Sequence, residues 1–190
     1  MDNVTRRSFV ERALQGSVLA LSFAVPGGTA LLTPGEARAK DVPLRKLDNA
    51  LAHDLEKLAE AIVPGSTAAG LTHFLDHQLA ADPNEALLIA RYFQIALPYI
   101  DFYAAGVKHA NAMAQKSAGK PLASLSDTEM VSLVKSLAAP GTVVDGFPLF
   151  VFYMCLRSDA VDVVYGTPEG FQKLNIPYMQ HIMPPEGWNG

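Results

Sequence analysis

Leu47-Asp48-Asn49-Ala50-Leu51-Ala52-His53-Asp54-Leu55-Glu56-Lys57-Leu58-Ala59-Glu60-Ala61-Ile62 is the stretch whose reading decides the fold class. Leu47, Leu51, Leu55, Leu58 and Ile62 recur at spacings of four, four, three and four. On a 3.6-residue period those positions fall on one face, which predicts an amphipathic helix. Pro64-Gly65 stops it, because a proline cannot continue the backbone ladder and glycine favours the turn that follows.

The same logic extends toward the C-terminus. A short helix is predicted over residues 71–80, with Leu71, Phe74, Leu75, Gln78 and Leu79 on one side and positions 73, 76, 77 and 80 toward solvent. Asp82-Pro83-Asn84-Glu85 places a capping Asp, a first-turn Pro and a Glu three residues on. A long helix is therefore predicted from there to about Gln115, kinked at Pro98. It is apolar nearly all round (Leu87, Leu88, Ile89, Tyr92, Phe93, Ile95, Leu97, Ile100, Phe102, Tyr103), as suits the middle of a bundle or a partner protein. Ser126-Asp127-Thr128-Glu129 is a capping box, followed by Met130, Leu133, Val134 and Leu137, with Pro140-Gly141 at the end. The apolar run from Phe147 to Leu156 reads as a helix reaching Tyr165, with Pro148 in its first turn. From Gly166 the chain turns to Pro, Gly and aromatics. The expectation is an all-α protein: an irregular helical bundle of about five helices with an extended Pro/aromatic C-terminal tail.

Toward the N-terminus, Thr5-Arg6-Arg7-Ser8-Phe9-Val10 has the Arg6-Arg7 pair and following Phe of a twin-arginine export signal. The stretch from Ala13 to Leu32 is apolar but diluted by Gly16, Ser17, Ser22, Pro26, Gly27, Gly28 and Thr29, too interrupted for a membrane span. Ala37-Arg38-Ala39 has the small-x-small shape of a cleavage site. The boundaries drawn are a signal over 1–39 and a single helical domain over 40–190. Such a signal implies a periplasmic destination, reached by cargo that folds before export.

Composition narrows the function. Of 190 residues 49% are hydrophobic and 18% charged, a globular balance. The formal net charge is −4, and removing Arg6, Arg7, Arg12 and Arg38 with the signal keeps the remainder acidic, so no basic footprint for nucleic acid exists. The single cysteine, Cys155, sits among apolar neighbours and cannot by itself supply a disulfide, an iron–sulfur cluster or a haem attachment motif. Dinucleotide, phosphate-loop and G-x-S-x-G signatures are missing.

His73-Phe74-Leu75-Asp76-His77 is the one metal-like spacing, since His73 and His77 at i and i+4 share a helix face. It supports a competing reading as a free-standing periplasmic metal-dependent enzyme. His53, His109 and His181 stand alone. Asp54, Glu56 and Glu60, and Asp159 with Asp162, read as solvated helix faces. A third reading, a small-ligand cavity, calls on Tyr92, Phe102 and Tyr103. Apolar excess marks Phe147, Phe150, Tyr153, Phe171, Tyr178 and Trp188 as candidate partner-interface residues, because rigid aromatics serve as anchors in protein interfaces. No catalytic or cofactor-binding residue is identified.

The chain resembles the small subunit of the gluconate 2-dehydrogenase type (subunit 3). The matching pieces are the twin-arginine start; Leu58-Ala59-Glu60-Ala61-Ile62-Val63-Pro64-Gly65 with Phe74-Leu75-Asp76; Leu125-Ser126-Asp127-Thr128-Glu129; and Tyr165-Gly166-Thr167-Pro168-Glu169-Gly170-Phe171 with its Pro-rich end. The resemblance implies a helical subunit without activity of its own, which binds a flavin-containing dehydrogenase subunit of the glucose–methanol–choline class. It would support that subunit's maturation, stability and co-export to the periplasm. FAD is then expected in the partner and haem c in a possible third, multihaem cytochrome c subunit. Association with the inner membrane would come only through the complex.

Overall fold

The computed structural model describes residues 20–175. Arg6, Arg7, Tyr178, His181 and Trp188 lie outside them. The first described elements are strands: β1 (Leu21–Val25) pairs antiparallel with β2 (Gly28–Leu32) around Pro26-Gly27. The residues that interrupt this apolar stretch in the sequence are thus the turn of a hairpin, with Gly27 at φ 91°. Thr33 then caps α1 (Pro34–Ala39) in a reciprocal capping box with Glu36. Leucine stripe and cap agree in α2 (Asn49–Ile62): the Asp48 side chain accepts from the Leu51 N–H, and Leu55, Leu58 and Ala59 are fully buried. The helix ends at Val63.

Glu60 shapes the turn beyond α2, accepting from the N–H groups of Gly65 and Thr67 at 2.7 and 2.9 Å. Burial pushes its carboxyl up, but those two N–H groups outweigh it and hold the pKa below the usual value. Gly70, at φ 81°, opens α3 (Leu71–Ala80). A side chain there would be strained and would overlap the Pro34 carbonyl, so the start of α1 presses directly on this turn.

Beyond α3 the expected long helix is cut short. Residues 82–86 make one turn, with the Glu85 and Ala86 N–H groups returning to Asp82 O. A single helical turn, α4 (Ile89–Tyr92), follows, and the long helix α5 (Tyr99–Ala118) begins only after Pro98. A 3-10 turn (Leu122–Ser124) leads to α6 (Asp127–Leu137), which carries the Ser126/Glu129 capping box. Then come α7 (Leu149–Tyr165) and a short α8 (Pro168–Lys173) capped by Thr167, in a region read as extended tail. The chain is mainly all-α, and the hairpin is the only sheet among the described residues.

Two helices organise the core: α2 touches α3, α5, α6 and α7, while α7 touches every helix from α2 to α8. Leu55, Leu58, Leu71, Leu75, Tyr103, Leu137, Leu149 and Phe152 fill the space between them. A second, smaller cluster joins Phe23, Leu32, Ala37 and Val42. α5 packs closely on α7, where Gly106 lies against the fully buried Phe152 ring and a Cβ would overlap it. Gly106→Ala would gain about 1 kcal/mol of helix propensity but overpack a site that cannot relax. A net loss of about 2 kcal/mol in urea unfolding is expected, and Phe152→Leu in the same chain should recover part of it.

Candidate functional site

Exposed large apolar side chains are concentrated in one place. Leu87, Tyr92, Phe93 and Leu97 are 48%, 69%, 47% and 58% exposed, against Val131, Val143 and Leu174 scattered elsewhere among the described residues. These four belong to the segment between α3 and α5, which is irregular yet anchored from below. Ala86, Leu88 and Ala90 point inward and are fully buried. The Leu87 N–H donates to Gln78 Oε1 at 2.8 Å, and the Ile89 N–H donates to Asp159 Oδ1 at 3.1 Å. Arg91 Nη1 donates to Ala86 O at 3.3 Å, with its guanidinium 5.9 Å from the Tyr92 ring centre. Side chains that take these backbone donors replace the helical ladder here, and Gln94 in the left-handed region (φ 54°) bends the chain further.

Asp159 is the deepest of these anchors. It is fully buried on α7, and its Oδ2 accepts from the Tyr103 hydroxyl of α5 at 2.5 Å. Burial drives its pKa up to about 7, against the pull of the Tyr103 and Ile89 hydrogen bonds, with Asp162 adding to the rise. The same burial, together with Asp159, raises the Tyr103 hydroxyl well above its usual value and pushes Cys155 up to about 12. Asp159 therefore holds α5, α7 and the start of α4 at one point, and it is not part of a solvated face. The sequence did carry a signal: Phe152, Leu156 and Val163, at i−7, i−3 and i+4, place Asp159 on the apolar stripe of its helix.

The histidine pattern on α3 has a different use. Positions 73 and 76 do not face solvent, because residues 42–47 and the hairpin cover them. His73 Nε2 donates to Val42 O at 2.9 Å. Asp76 accepts from the backbone N–H groups of Arg45, Lys46 and Leu47 at 2.7–2.9 Å. Phe23 meets the His77 ring edge-on at 5.3 Å and the His73 ring at 6.4 Å. Burial, and then Arg45, lower the His77 pKa, opposed by the Ser22 backbone and Asp76. His73 Nε2 and both Asp76 oxygens are engaged by the backbone, while Nδ1 of His73 and of His77 is buried without a hydrogen-bond partner. Among the described residues no cluster of three or more His, Cys, Asp or Glu is placed to hold a metal.

The other sequence candidates separate. Phe147 stacks on His109 at 5.0 Å and tilts over Phe102 at 5.5 Å. Phe150 and Tyr153 stack on each other at 6.5 Å, each half-buried. Phe171 is half-buried on α8. Tyr92 points outward while Phe102 and Tyr103 are buried, so these three do not line one cavity. Asp54 accepts from Asn111 Nδ2 at 2.7 Å, and Glu56 accepts from Thr72 and Arg38. Both carboxylates tie elements together.

Two outcomes test these anchors. Asp159 is neutral in the folded chain up to about pH 7 and ionised in the unfolded chain above about pH 4, so its contribution to stability falls as pH rises between those values. Asp159→Asn should flatten that part of the stability–pH curve, measured by urea unfolding from pH 4 to 8. Asp76→Ala leaves three N–H groups without their acceptor and is expected to cost about 3 kcal/mol. Asp76→Asn, which keeps one oxygen, should cost less, with faster hydrogen exchange confined to residues 45–47.

Comparison with known proteins gives one family match. The family described as gluconate 2-dehydrogenase subunit 3 matches residues 52–183. That span begins within α2, after the hairpin and α1, and runs through α8, including Asp76, Asp159 and the apolar segment. No curated protein and no solved structure matches. The family match covers well over half of the chain, which therefore belongs to the gluconate 2-dehydrogenase subunit 3 family.

Proposed function

We propose that this chain is the non-catalytic small subunit of a dehydrogenase complex and that it docks the flavin-containing catalytic subunit through the segment 87–97. The observation that carries this reading is the pairing of exposure with anchoring: four large apolar side chains face outward from a segment whose backbone is fixed by Gln78 and Asp159. A water-exposed apolar patch is costly to keep unless another surface covers it. A patch held in shape before binding loses little conformational freedom when it is covered, which favours affinity. Membership of the subunit family supports a partner within a gluconate dehydrogenase complex.

In this reading the partner is a flavoprotein of the glucose–methanol–choline class, which carries FAD and the catalytic residues. A multihaem cytochrome c subunit with haem c completes the complex. The small subunit supports the flavoprotein's maturation and stability, and the Arg6-Arg7 signal carries both into the periplasm as folded cargo. No helix of the described residues is long and apolar enough to cross a membrane, so contact with the inner membrane is assigned to the complex.

Because Tyr92 and Phe93 are exposed, replacing both with Ser should leave the unfolding midpoint of the isolated subunit nearly unchanged. Anchor residues contribute about 2 kcal/mol each when truncated, so affinity for the flavoprotein should fall roughly 1,000-fold. Co-purified flavin and exported dehydrogenase should drop with it, while a Val131→Ser control retains both. Undiminished co-purification of the double variant would remove the segment from the interface.

A further inference from the structure

Residues 20–39 have the composition of a disposable leader and the packing of a permanent part of the domain. We infer that they stay on the protein after export, and that the Ala39–Lys40 bond following Ala37-Arg38-Ala39 is not cut in the folded chain.

A processing peptidase takes its substrate as an extended strand, with the small residues at the first and third positions before the cut seated in shallow pockets. Accessible, flexible backbone is the general requirement for proteolysis. Ala37 and Ala39 are instead the fourth and last residues of α1, and Ala37 is fully buried. Both ends of the helix are closed. Thr33 and Glu36 form the capping box at the start, and after the end the Val42 N–H donates to Ala37 O at 3.0 Å and the Asp41 N–H to Arg38 O at 3.0 Å. Arg38 Nε meets Glu56 Oε1 of α2 at 3.3 Å. Pro34 bears on the Gly70 turn so closely that no side chain fits there.

The hairpin holds the same region from the other side. Phe23 and Leu32 are 7% and 2% exposed and, with Ala37 and Val42, make up the second apolar cluster. Phe23 also covers the His73 and His77 edge of α3. Cutting after Ala39 would remove three of the four cluster members, uncover that edge and leave Glu56 without Arg38. Drawing the stretch into an extended strand would require undoing α1 and withdrawing Ala37 from the cluster. Residues 21–32 of the apolar run are thereby taken up by the fold. The inference stands apart from the docking reading, since none of the residues it uses lies in the segment 87–97.

Intact mass spectrometry on the complex, isolated from periplasm-facing membranes of cells making the full chain, tests it directly. The small subunit should retain residues 20–39, and a chain beginning at Lys40 would overturn the inference. A second arm tests the cause. Purified signal peptidase is added to the full chain and to Leu32→Asp, which breaks the cluster without touching Ala37-Arg38-Ala39. The variant should be cut after Ala39 at least tenfold faster. Equal cutting of both chains, or of neither, would overturn protection by the fold.

Discussion

A carboxylate with no access to water sits at the junction of this molecule. Asp159 cannot be solvated, so its two oxygens must find donors inside the protein, and it finds one on α5 and one at the start of α4. That requirement fixes how α5 lies on α7 and where the chain between α3 and α5 begins its excursion to the surface. The neutral form, favoured by burial up to about pH 7, reduces what the interior must bear. Gln78 repeats the device from α3 with an uncharged side chain. Core order is thereby transmitted to a segment that has little regular structure of its own.

The polar face of α3 obeys the same rule. Asp76 and His73 sit under neighbouring chain and take backbone partners from residues 42–47, so the linker that joins α1 to α2 is held by side chains rather than by secondary structure. Two segments then cover this face of α3: the linker and, beside it, the hairpin with Phe23. One side of the helix is buried by leucines and phenylalanine against α2 and α7, and on the other Asp76 and His73 Nε2 are paired with the backbone of residues 42–47.

These features fit a subunit that supplies shape rather than chemistry. Asp159, Tyr103 and Asp76 are taken up by structural hydrogen bonds, and the most exposed apolar residues stand on a segment anchored to the core. In the docking proposed above, the rigid body would set the geometry and the apolar segment would provide the contact area.

Local patterns made several elements legible before any coordinates. The leucine spacing of α2, the Ser126/Glu129 box of α6 and the run that becomes α7 all depend on residues three or four apart, which a sequence displays directly. The family resemblance, too, rested on short local motifs in a fixed order, and the family match bears it out. What the sequence could not display were contacts between distant residues. Ile89 and Asp159 are 70 positions apart, and Arg45 and Asp76 are 31 apart. The apolar stretch from Leu87 to Leu97 suits a helix on periodicity alone, but Asp159 and Gln78 capture the donors that a helix would need, and Pro98 offers none. The same holds at the N-terminus, where an apolar run with Pro and Gly reads as a leader until Phe23, Leu32 and Ala37 find Val42 and the histidine edge of α3. Periodicity determined which segments coil. Burial of particular side chains by remote partners decided which faces stay dry, which segment is left exposed and where residues 21–37 pack.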